Sequence, residues 1–183
     1  MTLERPHARI AELIDALEQA HREMMDVVTV IPPETREAPA RDGAWSIAQH
    51  LEHLTLVEDS SGRLISRLIK QVAEADARES DDSSVLHSLD QFRLWTTTAP
   101  FNAPEIVQPR EGLSSADALA RLLTARQRTI AALHKASGLA LGTVSFPHPA
   151  MGPIDGYQWA LMIAQHQRRH TEHIRRLSGL DDA

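Results

Sequence analysis

Apolar side chains recur with helical spacing at Ile10, Leu13, Ile14, Leu17, Met24, Val27, Val28 and Ile31, and the run stops at Pro32 and Pro33. This pattern predicts a first helix beginning near Pro6. A second run, Ile47, Leu51, Leu54, Val57, Leu64, Ile65, Leu68 and Val72, predicts a helix reaching about residue 75. Ser46 stands as its N-cap with Gln49 three residues on, the pattern of a capping box. Leu119, Leu122, Ile130 and Leu133 mark a third helix, capped by Ser114 or Ser115 and stopped at Gly138. The fourth starts at Asp155, with Gln158 three on and Ile154 and Trp159 placed as a hydrophobic staple; it runs to about Ser178, where Gly179 follows. No segment carries a strand signal. The expectation is therefore an all-α four-helix bundle, with residues 76–113 as one long crossover between the second and third helices.

Within that crossover "DARESDDSS" reads as an exposed loop, "VLHSLDQFRLW" as a short helix and "APFNAPEIVQPREG" as a Pro-bearing connection. Loops of this length either cover a site or lack order. There is no internal repeat, and residues 1–183 read as one domain with a substantial core, given 42% apolar content.

Charge and composition narrow the function. A formal net charge of -6 argues against a nucleic-acid surface. The one basic cluster, Arg168 to Arg176, is interleaved with Glu172 and reads as a solvated helix face. No run approaches the ~20 apolar residues of a membrane span, and "MTLERPHARI" lacks a secretory h-region, so a cytoplasmic protein with no membrane partner is expected. The absence of cysteine excludes disulfides, thiolate metal sites and a cysteine nucleophile. Any thiol chemistry must use an external thiol.

The segment "HQRRHTEH" at 166–173 departs from an ordinary amphipathic helix. At about 100° per residue, Trp159, Met162, Ile163, His166, His170, His173, Ile174 and Leu177 share one stripe, while Arg168, Glu172, Arg175 and Arg176 take the other side. The imidazoles thus point into the protein, where each unpartnered ring costs about 1 to 3 kcal/mol. Either carbonyls and water satisfy neutral rings, or a metal does. His166 and His170, four apart, sit one above the other and can reach one ion at ~2.0 to 2.1 Å. His173 lies ~10 Å along the axis from His166 and reads as a supporting or core residue. A third ligand from the second helix is His50 or His53; periodicity slightly favours His50, and spacing leaves both open. Either completes three imidazoles with coordination positions free, as in a catalytic ion site.

"WSIAQHLEHL" at 45–54, "FPHPAMGPIDGYQWALMIAQHQRRHTEHI" at 146–174 and the helix order resemble the DinB-like superfamily, especially its YfiT-like branch. In that family the histidine eight residues after the Trp of the first motif binds metal together with the HxxxH of the last helix. The resemblance therefore implies His53, His166 and His170 as ligands, with His173 standing where many members have Gln. It further implies a bundle, often dimeric, that binds zinc, nickel or another divalent ion. Relatives include transferases and isomerases using a low-molecular-weight thiol such as bacillithiol or mycothiol, and the YfiT-like branch is often regarded as metal-dependent hydrolases.

The leading expectation is a metal-dependent transferase joining such a thiol to a small electrophile. Its rivals are a hydrolase activating water and a non-catalytic bundle that binds metal or a partner. Glu58, in phase with Ile47 and Leu51, is a candidate catalytic carboxylate, although pairing with an arginine also explains it. His148 is a candidate at the site mouth. Trp95 reads as a packing residue or pocket wall, and Tyr157 and Leu161 as an outward contact surface, in keeping with a homodimer.

Overall fold

The computed structural model describes residues 6–39, 44–92, 103–110 and 113–180. It is mostly helical. The four predicted spans appear as α1 (Ala8–Val30), α3 (Ile47–Glu74), α4 (Ser115–Lys135) and α5 (Gly156–Leu177), with a short α2 (Pro33–Glu37) between the first two. Helix α1 packs on α5, α3 on both α4 and α5, and α4 touches α1, so the long helices surround a shared interior.

Local chemistry sets where they begin. Ser46 Oγ accepts from the Gln49 N–H while Gln49 Oε1 accepts from the Ser46 N–H at 2.8 Å, and Asp155 and Gln158 repeat the exchange at α5. Ser114, rather than Ser115, caps α4 by accepting from the Asp117 N–H at 3.1 Å. Gly138 and Gly179, after α4 and α5, have φ of 77° and 73°, a left-handed backbone that favours glycine.

The interior divides into two apolar clusters. One gathers Leu13, Leu17, Ile65, Leu68, Val72, Leu133 and much of the first half of α5; the other gathers Met24, Val28, Leu51, Leu54, Leu122 and Ile174. Helices α3 and α4 approach closely at Gly62, where an added Cβ would stand 2.6 Å from Thr129 Oγ1. A buried polar node crosses the same region: Arg126 on α4 donates to both oxygens of Glu58 on α3, at 2.5 and 2.7 Å, to Gln167 Oε1 on α5 at 2.5 Å and to the Leu17 carbonyl on α1. Both charged side chains are 3% exposed.

Several expectations are corrected. Pro33 does not merely end α1; it occupies the first turn of α2, where its missing N–H costs nothing. A hairpin, β1 (Ser145–His148) and β2 (Gly152–Asp155), stands where no strand is expected. Its register sets Pro147 opposite Pro153, a pair that can exchange no N–H bonds and is tolerated in a two-stranded ribbon. Residues 86–89 form turns and Asp90–Phe92 one 3-10 turn, rather than a regular helix; Trp95 lies outside the described residues. Tyr157 and Leu161 are buried, not outward, and the Tyr157 hydroxyl donates to Glu79 and to the Leu139 carbonyl. Among the described residues no helix is long and apolar enough to cross a membrane.

Candidate metal centre

The first two turns of α3 are enclosed almost all round, because α5 packs on one flank and the 3-10 turn Glu105–Val107 of the crossover lies on another. His50 and His53 are therefore both turned into the protein. From the middle of α5, His166 and His170 project toward them on the stripe predicted by the helical period.

The ring nitrogens converge. His53 Nε2 lies 3.2 Å from His166 Nε2, and His166 Nε2 lies 3.2 Å from His170 Nε2. The potential ligand atoms of His53, His166 and His170 all fall within 4.8 Å of one another. Three nitrogens at ~2.05 Å from a tetrahedral ion would be ~3.3 Å apart, so the spacing matches a shared cation. A second group, His50, His170 and His173, meets the same distance limit and shares His170. Neither group includes a carboxylate.

Hydrogen bonding fixes which nitrogen of His53 is free. His53 Nδ1 is 2.7 Å from the Val107 carbonyl, which only accepts, so Nδ1 carries the proton and Nε2 presents a lone pair. Arg110 N–H donates to Glu52 Oε1 at 2.8 Å, tying the segment that carries Val107 to α3. His166 Nδ1 is buried with no hydrogen-bond partner. If His166 instead protonated Nε2, that proton would point at the His53 Nε2 lone pair and leave the buried His166 Nδ1 without a partner. A cation satisfies all three lone pairs, and the residues present fit one.

Electrostatics favours the ligand state. Burial pushes the His166 and His170 imidazoles well below their ordinary pKa, with nearby histidines adding to the shift. Burial also lowers His53, opposed by its bond to Val107, and brings His50 to about 4 with help from His173 and His53. Neutral rings need no deprotonation before binding metal. Trp45 walls the cluster, its ring centroid 4.8 Å from that of His53 and 6.4 Å from that of His170.

The other candidates take different places. Both oxygens of Glu58 accept from Arg126 in the buried node, so its carboxylate is engaged rather than open to the histidines. His148 sits at the end of β1, half-buried, with its ring 5.2 Å from Trp159. Its Nδ1 accepts from the Ala150 N–H at 3.1 Å, and its charge is felt at His166. Burial lowers its pKa. Two contributors escaped the sequence reading. The Val107 carbonyl is a backbone group with no side-chain signature, and Glu52 reads as one more polar helix residue.

No curated protein and no solved structure matches the chain. The model of the DinB superfamily matches residues 16–174, a span that takes in His53, His166 and His170, and the chain belongs to that superfamily.

Proposed function

We propose that His53, His166 and His170 hold one divalent ion, zinc or nickel, within a four-helix bundle, and that the protein is a transferase joining a low-molecular-weight thiol to a small electrophile. The observation that carries this reading is the convergence of three Nε2 atoms with two contacts of 3.2 Å. When bound, such an ion supplies Lewis acidity that lowers the pKa of a thiol from its ordinary value of about 8.5.

The chain's own residues hold the rest of the chemistry. Val107 and the buried helix faces fix the histidine rings, and Trp45 closes one wall against water. In its neutral form His148 carries its proton on Nε2, because Nδ1 accepts from Ala150. That N–H is a donor for the substrate or its leaving group. In the overall reaction the thiol loses its proton, sulfur bonds to the electrophilic carbon, and the leaving group departs with the electron pair and takes up a proton. The nucleophile comes from outside, consistent with a chain that has no cysteine.

Hydrolysis has less support, because it calls for a free base and Glu58 is bound to Arg126. The test is an electrophile panel assayed with and without a low-molecular-weight thiol, using metal-loaded protein. Thioether formation that requires both thiol and metal supports transfer; thiol-independent ester or amide cleavage contradicts it. His148→Ala should retain the metal while slowing turnover about 100-fold or more.

A further inference from the structure

His170 differs from the other two ligand candidates in having a histidine behind it. Its Nε2 faces His166, while its Nδ1 lies 2.9 Å from His50 Nδ1. His53 has a carbonyl in the equivalent place and His166 Nδ1 has no partner. A carbonyl can only accept, whereas the His50–His170 contact admits two tautomeric arrangements. With the proton on His50, the neutral His170 ring must carry its own proton on Nε2, aimed at the cluster, and cannot be a ligand. With the proton on His170 Nδ1, Nε2 is clear.

Resting on the metal reading above, we propose that His50 is a positioning residue. It accepts the His170 Nδ1–H and so fixes the tautomer and ring orientation that present Nε2 to the ion. Trp45 steadies both rings, lying edge-on to His50 at 5.5 Å and within 19° of parallel to His170. His173, whose ring centroid is 5.7 Å from His50 and 5.5 Å from His170, stands beside this pair. A second ion held by His50, His170 and His173 would need both nitrogens of His170 deprotonated while the first site is filled. One ion with a histidine behind it is the simpler chemistry.

The experiment uses zinc-loaded, nitrogen-15-labelled full-length protein. Expected is a scalar coupling between His170 Nδ1 and His50 Nδ1 across the shared proton, with His170 bound to zinc through Nε2. In chelator competition His50→Leu should weaken zinc binding about 10- to 100-fold, while His50→Asn, whose amide oxygen replaces the acceptor, restores most of the affinity. Thermal unfolding of metal-free His50→Leu at or above the wild-type temperature shows that the loss is not one of folding. The proposal is overturned by wild-type-like affinity in His50→Leu, by coordination through His170 Nδ1, or by a second zinc ion that His173→Ala removes. Wild-type protein that binds no zinc or nickel overturns both this proposal and the metal reading, as does coordination through His170 Nδ1, which takes away the third Nε2 ligand; the other two results leave the metal reading standing.

Discussion

His53 and His166 are 113 residues apart in the chain, yet their Nε2 atoms meet at 3.2 Å. Two capped helix starts contribute to this, since the Ser46–Gln49 and Asp155–Gln158 boxes fix where α3 and α5 begin and so which residues share a face. Trp45, immediately before the first box, is carried against the same rings. Nickel binding should therefore quench its fluorescence. Trp45→Phe should remove most of the quenching, and Trp159→Phe should leave it; the check is emission during nickel titration.

Glu58 and Arg126 should behave as a structural pair. Truncating either alone to leucine leaves a buried charge and should cost about 3 to 5 kcal/mol, whereas the double change Glu58→Leu with Arg126→Met should recover most of that loss. Urea denaturation of the metal-free proteins measures the cycle. Metal affinity of the double variant should remain near wild type, a result that a ligand role for Glu58 does not predict.

Glu52 links the crossover to the site by accepting the Arg110 N–H, and Val107 in the same segment orients His53. Glu52→Ala should cost about 0.5 to 1.5 kcal/mol of stability through loss of the part-buried hydrogen bond to the Arg110 N–H. It should also weaken metal binding about 10-fold, because the carbonyl behind His53 is loosened. Denaturation and chelator competition on the same variant read the two effects separately.

The metal-free protein should lose stability in acid. His21, His50, His53, His166 and His170 all have folded pKa values below the ordinary 6.5, so below that pH the unfolded chain takes up protons the folded chain refuses. The stability contributed by keeping these rings neutral is full above about pH 6.5. It falls with decreasing pH by about 1.4 kcal/mol per pH unit for each such proton. For His50 the loss continues to about pH 4, where the folded state itself titrates. Zinc should raise stability at pH 7 and lose that effect in acid, since protons compete for the same nitrogens. Unfolding curves at several pH values, with and without zinc, test the sign.

The long helices were legible because the apolar period marked all four, and side-chain caps agreed with it at α3, α4 and α5, while α1 begins at His7 without one. The HxxxH pair was legible for the same reason, as histidines on an apolar stripe must face inward. Periodicity slightly favoured His50 over His53, a weak preference because the first two turns of α3 are buried nearly all round and no single face is strongly marked. Arg126 was missed since a charged residue on an apolar stripe is recognisable as buried only once Glu58 and Gln167 are seen around it. The hairpin was hidden by Pro147 and Pro153, which depress any strand reading although facing prolines suit a non-hydrogen-bonded pair. The family resemblance supplied the choice of His53; the structure supplied the Val107 carbonyl and the second histidine behind His170.

Metal content bears most directly on the central claim. Protein loaded with zinc or nickel and freed of excess should retain one ion per chain by elemental analysis, and each of His53→Ala, His166→Ala and His170→Ala should lose most of it while keeping the helical circular dichroism of the wild type. A wild-type chain that retains no divalent ion, or a triple variant that retains as much as the wild type, would contradict it.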